Sequence, residues 1–306
     1  MENIIKQHNK DLNTIISKGI EALILINKLL LALRDELVIS QEWKLGVLHP
    51  LLVQIYCITE NNKAIIEILP KHYSVICLSI FRTQMEYCFN TLFLTCDKDS
   101  FENKSMDYVW FNLQRKQKQL LGLSKGTKEN KELLNRIKND KSYDSLKEEL
   151  SIRWDDISAI WKGFIAKDWS SLPHYKEAEF RYDNATNTRN WYSISNNSIR
   201  TFEQLSKTLN QEMAYEFIYR ENSEYTHANS FFGLYGVDSN RREYIGDMPE
   251  KKIEIMIRTI SMTTSWCISI SNNIAIIANS NTFQKWLPKH EKLFYELSQL
   301  EKIIDP

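Results

Sequence analysis

From Thr259 to Gln284 the chain carries no charged residue. A helix built from such a run has to be covered on most sides, by the rest of the chain, by a second subunit or by lipid. Lipid is a poor fit, because the run is rich in Ser and Thr and holds Asn272 and Asn273, which are costly in a bilayer. The run therefore reads as a helix at the centre of a bundle or in a subunit interface. Its small Ser, Thr and Ala residues permit close helix approach, and Met262, Trp266 and Ile270 supply apolar bulk. A second stretch makes the same demand. Tyr73 to Cys96, YSVICLSIFRTQMEYCFNTLFLTC, is apolar nearly all round except for Arg82, Gln84, Glu86 and Asn90. Arg82 and Glu86 stand four apart and can pair on one helix face, and in a buried helix each needs a partner.

Other helices must supply the cover. Eight glycines and six prolines in 306 residues leave little punctuation, so long helices are the economical expectation. Asn3 to Leu37 carries apolar residues at helical spacing. Ser-Gln-Glu from Ser40 reads as an N-cap for a second helix, with a kink or fresh start near His49 because Pro50 follows, and Ile65 to Leu69 ends at Pro70. Asp99 or Ser100 caps a helix running into Gly122, and Ser142 to Lys167 is again amphipathic. Asp168 to Asn197 reads as an irregular connection. Two short helices follow, Ser198 to Asn210 and Gln211 to His227, then a loop from Ala228 to Met248. Pro249 opens a long helix, and a last one, about Thr282 to Ile304, is interrupted at Pro288. The expected fold is all-α, an antiparallel multi-helix bundle with long N-terminal helices. It forms one domain over residues 1–306, with an N-terminal helical portion over 1–70, a core over 71–230 and long C-terminal helices over 231–306.

Lysine and arginine number 39, as do aspartate and glutamate. That balance excludes a molecule that holds nucleic acid by net charge, so any polyanion site must be local. Gln114 to Lys141 has nine Lys or Arg against three acids, either a solvated helix face or a phosphate-contacting surface. Cys57, Cys77, Cys88, Cys96 and Cys267 are odd in number, lack a CxxC pair and lie in apolar segments, as reduced core residues do. The N-terminus lacks the basic start and apolar run of a secretory signal, so the expected location is cytoplasmic, with no membrane. His8, His49, His72, His174 and His290 are scattered without ligand spacing, and there is no HExxH, zinc cluster or glycine-rich phosphate loop. Neither a metal nor a cofactor is expected. Among these histidines, His174 is a secondary candidate.

The chemistry concentrates in Ala214 to His227, AYEFIYRENSEYTH. At about 100° per residue, Arg220, Ser223, Glu224 and His227 fall on one helical stripe spanning about 10 Å. The stripe combines a titrating imidazole, a permanent cation and a hydroxyl.

The spacing of Arg220 and His227, with six residues between them, resembles the Arg-x(4 to 6)-His signature of the HEPN superfamily of helical nucleases. Three pieces in order, IFRTQMEYCFNTLFL near Arg82, DWSSL around Trp169 and YRENSEYTHANS, also resemble an uncharacterised family of helical bacterial proteins. Glu221 departs from the pattern, since nuclease members often carry an amide or small polar residue after the arginine. The resemblance implies a metal-independent endoribonuclease of bacterial toxin or phage-defence type. His227 would then transfer protons and Arg220 would hold the phosphate. Tyr219, Asn222, Ser223 and Glu224 would contact substrate, and Arg82 and Glu86 would support the motif helix from behind. It also implies an RNA partner, a homodimer that brings two motifs into one cleft, and an antitoxin or defence-system partner. The residues alone keep two other readings open. Arg220 and Glu224 can form an ordinary i, i+4 ion pair beside a C-terminal histidine. The chain can also be a non-catalytic nucleotide- or protein-binding module.

Overall fold

A computed structural model describes residues 2–40, 43–71, 74–123, 126–149, 171–185, 188–220, 235–237, 243–245 and 249–301. The chain divides into two compact units, one of Met1–Trp43, Leu51–Phe101 and Phe202–Pro306, the other of Lys44–Pro50 and Glu102–Thr201. Both are built from helices, and the fold is all-α.

In the first unit, α1 (Glu2–Ser40), the part of α2 (Leu45–Ile68) from Leu51 on, and α3 (Ser74–Thr95) pack with α11 (Pro249–Ile277) and α12 (Thr282–Glu301). α11 lies against α3 and α1, and α12 packs on α1 and α11. One face of the uncharged run is thus covered by the chain's own helices, while Ser265, Ser269 and Ile276 remain exposed. Thr259, Thr263, Cys267, Ser271 and Ile274, three or four apart, are fully buried. Two of these hydroxyls are satisfied in the apolar interior by bonding back one turn. Thr259 donates to the Ile255 carbonyl (2.8 Å) and Ser271 to that of Cys267 (2.7 Å).

Polar side chains also cross the core. Gln84 Nε2 of α3 donates to Asn62 Oδ1 of α2 (2.8 Å), and Asn62 Nδ2 donates to Asn27 Oδ1 of α1 (2.8 Å). Asn27 Nδ2 in turn donates to the Thr59 carbonyl (3.3 Å). Cys267 of α11 lies beside this chain, with its sulfur 3.8 Å from Asn62 Nδ2 and 3.9 Å from Gln84 Nε2. At the far end of α11, Asn279 takes a left-handed φ of 50° and Ser280 N–H donates to the Ala275 carbonyl (2.8 Å), a Schellman stop. Glu36 of α1 then accepts hydrogen bonds from Ser280 and from Thr282 Oγ1 (2.6 Å), tying the α11–α12 turn to α1.

The second unit holds α4 (Phe101–Leu123) from Glu102 on, α5 (Lys128–Ile137), α6 (Asp144–Glu149), α7 (Tyr175–Asn184) and α8 (Tyr192–Ser195). Buried Asp107 of α4 joins three of them. It accepts from Arg181 Nε of α7 (2.8 Å) and from Ser195 Oγ of α8 (2.7 Å). Burial pushes its carboxyl above the usual carboxylate range, against the lowering effect of the hydrogen bonds from Arg181 and Ser195. Trp110 packs edge-on to Tyr175, with ring centroids 5.0 Å apart.

Several local expectations are corrected. Ser40 ends α1 rather than capping α2, its hydroxyl donating to the Leu37 carbonyl (2.9 Å). α2 runs through Pro50 and α12 runs through Pro288 without interruption. Each proline forgoes one backbone donor, a local loss that tertiary packing of a long helix can offset. The stretch from Asp168 to Asn197 is not irregular throughout, for it contains α7 and α8, and the good helix formers of KEAEFR outweigh the neighbouring aromatics and asparagines. Tyr235–Val237 and Glu243–Ile245 pair as a two-stranded antiparallel ribbon inside the expected loop, β-prone residues in runs too short to show a period of two. Cys96 is exposed rather than core, whereas Cys77, Cys88 and Cys267 are buried. Residues 150–170, including Trp169, lie outside the described residues. No described helix is long and apolar enough to cross a membrane.

Gly19 sets how closely α1 approaches α11. A Cβ there would lie 2.6 Å from Ile260 Cδ1 and 2.7 Å from Cγ2, and a β-branched side chain has no free arm to withdraw. Alanine raises helix propensity by about 1 kcal/mol over glycine, so Gly19→Ala would stabilise if the space were open. Net destabilisation is expected instead, of about 1–2 kcal/mol, read as a lower urea midpoint with an unchanged slope.

Candidate functional site

Two turns of α3 and one unusual turn build the site within the first unit. α9 (Phe202–Thr208) leads to α10 (Glu212–Ala214), and the helix then widens into a π-helical turn over Tyr215–Tyr219, closed by the Arg220 N–H donating to the Tyr215 carbonyl. Such turns are rare and often occur at functional positions. The wider turn advances the chain by a different angle per residue from the ordinary helix. A uniform 100° step therefore does not hold up to Arg220.

The π turn points Tyr219 at α3. Its hydroxyl donates to Glu86 Oε1 (2.7 Å) and accepts from Arg82 Nη2 (3.1 Å). The Arg82 guanidinium also stands 4.7 Å from the centre of the Tyr219 ring. Arg82 and Glu86, one turn apart, approach at 3.6 Å, and their side chains are 16% and 43% exposed. Arg82 is thus the more deeply placed member of the pair. Burial is the largest cause pushing the Tyr219 phenol up to about 12; the Arg82 hydrogen bond pulls it down, and Glu86 pushes it further up. The tyrosine therefore stays protonated and donating throughout the neutral range.

Behind Tyr219 runs an aromatic stack into the core. Its ring lies 4.6 Å from Phe202 and 5.4 Å from Tyr215, Phe202 stacks on Phe89 at 5.4 Å, and Phe89 meets the edge of Trp266 at 5.3 Å. Trp266 Nε1 donates to Gln211 Oε1 (2.9 Å), which anchors the residue just before α10. Phe202, Tyr215 and Gln211 were not singled out from the sequence, and their spacing from Tyr219 gives no signal without knowledge of the π turn.

Arg220 has a different setting. Its side chain is 66% exposed and its Nη1 donates to Glu216 Oε2 (2.7 Å), one turn back. Among the described residues that partner is Glu216. The hydrogen bond and charge of Glu216 hold the guanidinium pKa further up. Glu203 and Lys207 form a neighbouring exposed pair at 2.6 Å. The structure thus brings Arg82, Glu86 and Tyr219 together and leaves Arg220 facing solvent beside Glu216. Asn222, Ser223, Glu224 and His227 lie outside the described residues. His174 belongs to the second unit, where its Nε2 is 3.7 Å from Glu102.

Residues 47–243 match a family of unknown function, DUF5677. The chain belongs to that family. The DUF5677 match includes every residue of the Arg82, Glu86, Tyr219 and Arg220 group, whereas α1, α11 and α12, which enclose the core behind it, lie outside. No curated protein and no solved structure matches the chain.

The Tyr219 phenol gives a direct reading of this geometry. In Glu86→Gln the negative charge that helps to raise its pKa is gone, while burial and Arg82 remain. Titration by NMR of 13C-labelled tyrosine is expected to place Tyr219 near 12 in the wild type. In the variant it should fall, yet remain above the unperturbed value of about 10. An unmoved Tyr219 resonance would mean that the Glu86 contact is not populated in solution.

Proposed function

We propose that this chain is a metal-independent endoribonuclease of HEPN type, acting in the bacterial cytoplasm as a toxin or phage-defence effector. The reading rests on the Arg-x(6)-His motif and is supported by one structural observation. The residue before Arg220 is locked to α3 through Tyr219, so the arginine leaves a braced turn with its guanidinium open to solvent. A permanent cation on a rigid base suits phosphate binding, because little ordering entropy is lost when the anion arrives.

In the proposed reaction, His227 takes the proton of a ribose 2′-hydroxyl and the O2′–P bond forms. The P–O5′ bond breaks, and the departing oxygen takes a proton from an imidazolium. The products are a 2′,3′-cyclic phosphate and a 5′-hydroxyl. One imidazole cannot serve as base and acid in the same step, so the reading includes a homodimer in which two copies of His227 share a cleft. Arg220 neutralises the phosphorane oxygens after exchanging Glu216 for the phosphate. An antitoxin or another component of a defence system would keep such an enzyme silent.

The Arg220–Glu216 pair itself favours a second reading. A cation already matched by an acid one turn away is also what a non-catalytic nucleotide- or protein-binding helix module would carry. Incubation of purified protein with single-stranded RNA in the presence of a chelator separates the two. The nuclease reading expects cleavage with cyclic-phosphate ends, unaffected by the chelator and reduced by roughly 10²-fold or more in His227→Ala and Arg220→Ala. A folded protein that leaves RNA intact, or a His227→Ala variant that cuts as fast as the wild type, would overturn it.

A further inference from the structure

The second unit contains a concavity of about 480 Å³ lined by Phe111, Arg115 and Lys118 of α4, Tyr182 of α7, and Thr188 and Arg189 from the connection beyond α7. Phe111, Arg115 and Lys118 are four and three apart, so they form one face of α4. Of the six described lining residues three are cationic and none is acidic. In a chain whose charges balance at 39 against 39, one sign of charge among the described lining residues is a local choice that the average composition does not supply. Neither Arg115 nor Lys118 forms an ion pair among the described residues. Lys118 Nζ instead donates to the Tyr182 hydroxyl (3.0 Å) and stands 5.6 Å from the centre of its ring, so the ammonium is placed without a described acid to match its charge. The aromatic wall is itself held in place, since Tyr182 lies edge-on to Trp110 at 6.5 Å and Phe111 is buried.

Cations that converge in a concave site seek an anion, and guanidinium groups match phosphate oxygens with paired hydrogen bonds. Aromatic faces beside them accept a planar ring by stacking, with little preference among bases. The volume falls in the range of small-ligand sites, roughly 300–1,000 Å³. We infer that this pocket binds a free nucleoside phosphate, its phosphates on Arg115, Lys118 and Arg189 and its base against Tyr182 and Phe111. The site belongs to the second unit and stands or falls independently of RNA cleavage at Arg220 and His227. Among the described residues, the basic stretch from Gln114 to Lys141 contributes to it through Arg115 and Lys118.

The test is calorimetric titration of the full chain with adenosine diphosphate, guanosine diphosphate, adenosine, inorganic pyrophosphate and a short single-stranded RNA without a terminal phosphate. Both diphosphates are expected to bind, at least tenfold more tightly than adenosine and than pyrophosphate. Arg115→Gln and Lys118→Gln should each weaken binding by tenfold or more with unchanged melting temperature, and Tyr182→Phe should retain binding because it keeps the ring. Binding of the RNA but of neither diphosphate would overturn the inference. So would equal affinity for pyrophosphate and the diphosphates, or an Arg115→Gln variant that folds and binds as the wild type does. Loss of diphosphate binding in His227→Ala would place the ligand at the other site and also overturn it.

Discussion

Gln84, Asn62 and Asn27 pass a hydrogen bond from α3 to α2 to α1, and the last amide returns it to the Thr59 carbonyl of α2. All three side chains are buried. Apolar ridges alone leave neighbouring helices free to slide or rotate by small steps at modest cost, whereas an amide displaced from its partner in this interior loses about 1–3 kcal/mol for each group left unpaired. The chain of amides therefore fixes the rotation of three helices at once. α11 completes the enclosure, with Cys267 against the amides and Ile260 seated where Gly19 has no side chain.

α3 carries that constraint to the surface. Gln84 is one of the three amides, while Arg82 and Glu86, two residues to either side of it, meet Tyr219. Because the positions belong to one rigid helix, whatever sets the direction of Gln84 sets the directions of the other two. Phe89 adds a second connection, through Phe202 to the same tyrosine. The π turn can hold its unusual geometry because Tyr219 is fastened on both its ring and its hydroxyl. The second unit follows the same rule on a smaller scale, with Asp107 as a buried acceptor joining α4, α7 and α8.

The sequence made the long helices legible because burial leaves a coarse mark. The uncharged run in α11 and the nearly all-apolar α3 had to lie inside, and Arg82 and Glu86 stood out in α3 as charges in need of partners. What they meet could not be read, since Tyr219 is more than 130 residues away and reaches them through a π turn that no local pattern announces. Asn27 and Asn62 were equally hidden, as an asparagine in a helix looks the same whether it faces water or a buried amide. Short helices such as α7 and α8, and the ribbon of Tyr235–Val237 with Glu243–Ile245, span too few residues for periodicity to outweigh composition. At Arg220, spacing offers Glu224 as a partner, and among the described residues the structure pairs it with Glu216, an equally spaced acid on the other side. Sequence separation alone cannot choose between the two.

The central claim is that buried amides, rather than apolar packing alone, specify how α1, α2 and α3 meet. Equilibrium unfolding of Asn62→Leu against the triple variant Asn27→Leu, Asn62→Leu, Gln84→Leu tests it most directly. The single change strands the Asn27 side-chain carbonyl, leaves the Gln84 amide with a long hydrogen bond to the Ile58 carbonyl (3.5 Å), and is expected to cost about 2 kcal/mol or more. The triple change removes the stranded groups together and should recover a large part of that loss while broadening the set of packings. If the single variant is as stable as the wild type, or if the three changes simply add, the amide chain does not hold these helices in register.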